Sequence, residues 1–225
     1  MTLAVRQVLL LVSKDLRIEA RGRQTIPLVV ILGVLIIVVL GMGLGAGRPV
    51  TGFAATAILW VAYLFGGVLC FEKTFALERH DDTLAALLAA PVDRGVLYAA
   101  KLLTNLALMG ALAVVITPVA ILLFRFDLAG HTAGFVTVMT LGMVGFASVG
   151  TLFAAAVSST RLQGGLLPVL VFPLTLPVVI VSTQMMRGMF DHGEPPGGAG
   201  LAALVGFDIV FVVMSWLVFE LVLEP

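Results

Sequence analysis

Glu72-Lys73-Thr74-Phe75-Ala76-Leu77-Glu78-Arg79-His80-Asp81-Asp82-Thr83-Leu84-Ala85-Ala86-Leu87-Leu88-Ala89-Ala90-Pro91 interrupts a chain that is otherwise almost continuously apolar. The segment opens as a cluster of charges, passes into a Leu/Ala pattern of helical spacing, and stops at proline. What flanks it decides how it reads. Of the 225 residues, 60% are apolar and 12% charged. Soluble domains carry about 25% charged residues. Folded in water, such a chain would expose apolar surface on every side, so it reads as an integral membrane protein. Residues 72–91 then read as a place where it meets water and a partner.

Crossing the hydrocarbon core as a helix takes about 20 apolar residues. Six stretches qualify: 26–44, 50–71, 102–124, 132–157, 165–186 and 201–223. All are far longer than the roughly ten residues of a barrel strand, and backbone polar groups in lipid must pair within their own helix. The expected fold is all-α: one polytopic transmembrane domain over 1–225 with six spans. Ahead of them, 1–25 reads as an amphipathic helix lying in the membrane plane. Val5, Val8, Leu9, Val12 and Leu16 recur at helical spacing. Arg6, Lys14, Arg17 and Arg21 flank that stripe within reach of headgroups, and Gly22 offers a bend. A signal peptide is not expected, because Arg6 interrupts the apolar part and the other cations follow it.

The cations orient the spans. Arg6, Lys14, Arg17, Arg21, Arg23, Lys73, Arg79, Arg94, Lys101 and Arg161 fall on one side, and Arg48, Arg125 and Arg187 on the other, ten against three. The positive-inside rule puts both termini and the loop 72–101 in the cytoplasm. Net charge is zero, which argues nothing for nucleic acid. The lone cysteine, Cys70, has no second thiol to pair with and reads as a small buried hydrophobe.

Several chemistries are excluded. None of the three lysines follows glycine, so there is no P-loop and ATP hydrolysis is not expected on this chain. The glycines at 41, 43, 45 and 47 lack the dinucleotide register and fit close helix packing or an outward turn. His80, His131 and His192 stand apart, with no metal-ligand spacing. His131 and His192 lie outward and are of a type that ligates iron porphyrin, although a solvated loop histidine is the commoner case. No confident catalytic, cofactor or metal residue emerges. Asp208 is the only acid well inside an apolar run, either a functional intramembrane group or one that reaches the outer interface. Pro168, Pro173 and Pro177 in the fifth span predict a kinked or locally unwound helix. That helix either lines a translocation or docking surface or is a structural kink relieved by neighbours such as the Thr175 hydroxyl.

In the opening segment, Leu84, Leu87 and Leu88 form one apolar stripe. Glu78, Asp81 and Asp82 crowd its N-terminal side, where the helix dipole favours acids. Asp82 is placed to cap it and Pro91 to end it. Such a helix either docks a partner or rests on the bilayer.

The pattern Glu72-x-x-Phe75-x-x-Glu78, then Asp82-Thr83-Leu84-x-x-Leu87-Leu88-x-x-Pro91, then Lys101, resembles the cytoplasmic loop of ABC-2-type permeases. Within them the chain is most similar to the CcmB, or haem exporter B, family of cytochrome c maturation, through the proline spacing of LLPVLVFPLTLPVVI at 166–180. One departure is Asp82, where a turn glycine is usual. The resemblance implies a bacterial inner-membrane permease that couples through Glu72–Pro91 to a separate CcmA-like ATPase. It implies CcmC- and CcmD-like membrane partners and a CcmE-like haem chaperone. It also implies a homodimer, ATP bound only by the partner, and haem as cargo. An ABC-2 permease for a lipid, glycan or drug would share this loop. A self-contained secondary transporter would need more buried ionisable groups than Asp208.

Overall fold

The computed structural model describes residues 3–22, 25–45, 51–80, 93–125, 128, 130–158 and 165–222. Among them are seven helices: α1 (Leu3–Gly22), α2 (Thr25–Gly45), α3 (Gly52–His80), α4 (Arg94–Phe124), α5 (Thr132–Ser158), α6 (Leu166–His192) and α7 (Gly198–Val222). The last six are each long and apolar enough to cross a bilayer.

Side-chain contacts fix the helix directions. Tyr63 Oη and Thr117 Oγ1 lie 2.6 Å apart, and Thr74 Oγ1 lies 2.7 Å from Asn105 Oδ1, so α3 and α4 run antiparallel. α3 and α5 run parallel, because Gly67 faces Phe146 and Gly150 faces Phe71. α5 and α6 run antiparallel, since Gly142 faces Ser182 while Gly134 faces Met189. The spans thus alternate. α1, the start of α2 and the close of α7 share one end of the bundle, called here the α1 end.

α3 and α5 form the centre. Their partnership is reciprocal: a Cβ at Gly67 would sit 2.3 Å from the Phe146 ring, and one at Gly150 would sit 2.1 Å from Phe71. Each glycine is the socket for the other helix's aromatic ring, and the two rings meet at 5.0 Å. Small residues that let helices close in this way are a main source of cohesion in lipid, where apolar contact with a neighbour gains little over contact with a lipid tail. The outer helices keep apolar faces turned outward, with Ile31 and Val39 on α2, Val114 and Leu122 on α4, and Ile209 and Leu217 on α7 all exposed.

Two boundaries differ from the sequence expectation. α3 runs past Phe71 to His80, and α4 begins at Arg94 rather than at 102. Glu72, Lys73 and their successors are competent helix formers, so leaving the apolar zone does not end the helix. Asp93 caps α4, its carboxylate accepting from Gly95 N at 2.9 Å. The expected loop 72–101 therefore enters and leaves through extended helices. α1 agrees with the expected amphipathic helix, and its two acids are both used. Glu19 is buried, and its Oε1 accepts from Thr25 N at 3.0 Å and Ile26 N at 3.3 Å, capping α2 from the neighbouring helix.

Candidate coupling site

At the α1 end the bundle contains a chain of buried polar groups. Lys101, about two turns into α4, is only 1% exposed. Its ammonium donates to Asp15 Oδ2 of α1 at 2.8 Å and to the Thr74 carbonyl of α3 at 3.3 Å. It also lies 5.6 Å from the centre of the Phe75 ring. A buried cation is tolerable only when paired and hydrogen-bonded, and two other helices, α1 and α3, supply those contacts. The Thr74 hydroxyl shares its proton between Cys70 O at 2.8 Å and Asn105 Oδ1 at 2.7 Å. The Asn105 amide then donates to Thr151 Oγ1 of α5 at 2.9 Å. Asp15, Lys101, Thr74, Asn105 and Thr151 thereby bind α1, α3, α4 and α5 into one unit directly beside the departing ends of α3 and α4.

The residues expected to couple to a partner divide into two sets. Phe75 is buried against Lys101, and Glu72, half-buried, lies one turn before it on α3. Glu78 lies in the last turns of α3. Asp81, Asp82, Leu84, Leu87, Leu88 and Pro91 fall outside the described residues.

The prolines of α6 are accommodated without a break, since the helix is continuous from Leu166 to His192. Pro173 and Pro177 leave the carbonyls of Val169 and Pro173 without their helical donors. Thr175 does not serve those carbonyls. Its hydroxyl reaches Val171 O at 3.0 Å and Phe172 O at 3.2 Å instead. Val169, Pro173, Leu176, Pro177 and Ile180 are all exposed, whereas Leu167, Val171, Thr175 and Val178 are buried. The proline stripe thus faces away from the bundle and presents an outer surface, while Thr175 faces the core.

Asp208 does not reach an interface. It is 7% exposed and lies at mid-depth, its Oδ1 2.6 Å from where a Cβ on Gly145 of α5 would stand. Neither carboxylate oxygen has a hydrogen-bond partner among the described residues. Among those residues no group of three or more His, Cys, Asp or Glu side chains converges to hold a metal.

Sequence reasoning used Lys101 as an orienting cation and a motif position, gave Asp15 no partner, and passed over Asn105 and Thr151. One signal was available: Asn105 is the only asparagine in the chain and sits inside an apolar span, where a polar amide needs a partner.

The family model described as CcmB protein matches residues 6–224 of this chain. Heme exporter protein B of Rhodobacter capsulatus is 26% identical over 177 residues, 79% of this chain and 81% of that protein. Heme exporter protein B of Bradyrhizobium diazoefficiens is 26% identical over 206 residues, 91% of each chain. Heme exporter protein B of Paracoccus denitrificans is 28% identical over 190 residues, 82% of this chain and 84% of that protein.

Proposed function

Because this chain belongs to the CcmB protein family, we propose that it is the transmembrane permease subunit of an ABC-type complex that serves haem export or haem-chaperone release in cytochrome c biogenesis. The observation that carries this reading is the match of one family model across nearly the whole chain. The relatives' names, Heme exporter protein B, supply the cargo. The α1 end lies in the cytoplasm of a bacterial cell, as the distribution of cations argues. ATP is hydrolysed by a separate CcmA-like subunit. CcmC- and CcmD-like membrane proteins and a CcmE-like chaperone complete the assembly, and two copies of this chain pair within it.

The mechanism follows from the helix ends. Closure of the ATPase presses on Glu72–Pro91, with Leu84, Leu87 and Leu88 in the partner's groove and Glu78, Asp81 and Asp82 on its rim. α3 and α4 extend to His80 and Arg94, so the push enters two rigid rods close to the contact. The Lys101 cluster spreads it to α1 and α5. The outward proline stripe of α6 then forms a docking or translocation surface against a second copy or a membrane partner.

The charge of two aspartates cannot be seated in an apolar groove. The Leu87→Asp/Leu88→Asp double variant is therefore expected to insert normally yet lose co-purification with the ATPase subunit and the ATP turnover that depends on it, by tenfold or more. Unchanged co-purification would reject the docking assignment.

A further inference from the structure

We propose that the face of α1 turned away from the bundle is a binding site for the headgroup of an anionic phospholipid. Both acids of this helix turn inward. Asp15 is taken by Lys101 at 2.8 Å and Lys14 at 3.2 Å, and Glu19 caps α2. The opposite face is left with cations. Arg6, Arg17 and Arg21 are exposed, and among the described residues none of these three pairs with an acid.

An open recess of about 390 Å³ lies on this face, lined among the described residues by Leu10, Ser13, Lys14, Arg17, Ile18 and Arg21. The two guanidinium groups match phosphate oxygens in a planar, two-pronged way. The Ser13 hydroxyl adds a donor. Leu10 and Ile18, 61% and 43% exposed, provide the apolar shoulder that a glycerol and the first acyl carbons would cover.

Depth argues for a lipid. α1 ends at Gly22 and the spanning helix α2 begins at Thr25, so so short a connection holds α1 at the level where phosphates lie. Each cation close to an anionic bilayer surface strengthens binding roughly fivefold.

The test uses the whole chain in neutral detergent, titrated with phosphatidylglycerol or phosphatidylcholine and read by native mass spectrometry. Phosphatidylglycerol should be retained in preference to phosphatidylcholine. Arg17→Gln/Arg21→Gln should weaken its binding roughly 25-fold, at about fivefold per cation, and leave phosphatidylcholine unchanged. Free glycerol phosphate should not compete. A photoactivatable phosphatidylglycerol on the unaltered chain should label the peptide spanning 10–21, which checks the site independently of how the variant folds. The proposal is overturned by equal retention of the two lipids or by undiminished phosphatidylglycerol binding in the double variant. Full competition by glycerol phosphate, or labelling confined to other helices, would also overturn it. So would loss of a protein partner from the variant with lipid binding intact, which would make this face a protein-docking surface.

Discussion

Lys101→Met is expected to destabilise the detergent-solubilised chain by about 1.5–3 kcal/mol, the usual worth of hydrogen bonds made by a charged group, because Asp15 keeps Lys14 at 3.2 Å. Methionine matches the length of the lysine stem and preserves packing against Phe75, so the loss isolates the charge. It strips Asp15 of its 2.8 Å partner and the Thr74 carbonyl of a donor. Asp15→Asn/Lys101→Met should recover part of that loss, because the carboxylate that has lost its nearer cation is then gone; the coupling between the two sites is read from the double-mutant cycle completed by Asp15→Asn alone. Lys101→Arg should not restore the wild-type melt, since a planar fork does not reproduce a compact ammonium held by α1 and α3. Thermal unfolding of the five proteins, the Asp15→Asn single variant included, in one detergent measures all of this. A wild-type melt for Lys101→Met would mean that the polar chain does not hold the α1 end together.

Gly150→Leu should be the most damaging change at the centre of the bundle. Even a Cβ there would sit 2.1 Å from Phe71, and Phe71 is fully buried against Phe146. Gly150→Ala should cost about 1–3 kcal/mol as an overpacked site, and leucine more, enough to remove the folded protein from the membrane fraction. Adding Phe71→Ala to Gly150→Leu should restore part of the yield by reopening the volume. Gly43→Ala is the contrasting change. A Cβ there meets nothing within 4 Å, so it should be neutral or stabilise α2 by up to about 1 kcal/mol. Membrane-fraction yield and melting temperature distinguish these outcomes, and equal behaviour of Gly150→Ala and Gly43→Ala would reject the interlocked α3–α5 contact.

Much of this architecture was legible from local sequence. Six apolar stretches with few charges admit no other solution in lipid, and the Val5 to Leu16 stripe with flanking cations gave α1. What local sequence left open depends on contacts between distant residues. The continuation of α3 to His80 follows from helix propensity outlasting hydrophobicity, which a span-length criterion does not register. The Asp15–Lys101 pair joins positions 86 residues apart, and nothing in either neighbourhood announces the other. Lys101 looked like a charge at a span boundary because its burial comes from α1 lying over it. Asp208 was ambiguous because helix rise measures depth but not direction, and only the neighbouring Gly145 shows that the carboxylate turns inward. The α6 prolines were visible at once, whereas their outward facing follows from which side of α6 packs on α3 and α5. The leucines and acids of 81–91 rest on the sequence pattern alone.

The proposed function makes this chain the permease of a haem-delivery complex whose ATPase acts through Glu72–Pro91. Its most direct test is covalent c-type haem, measured by haem staining of periplasmic and membrane cytochromes in a strain lacking this chain and complemented in turn by wild type and by Leu87→Asp/Leu88→Asp. No covalent c-type haem is expected in the deletion strain, full recovery with wild type, and none with the double variant present in the membrane at normal amount. Normal c-type cytochromes in the deletion strain would mean that this chain has no part in haem delivery.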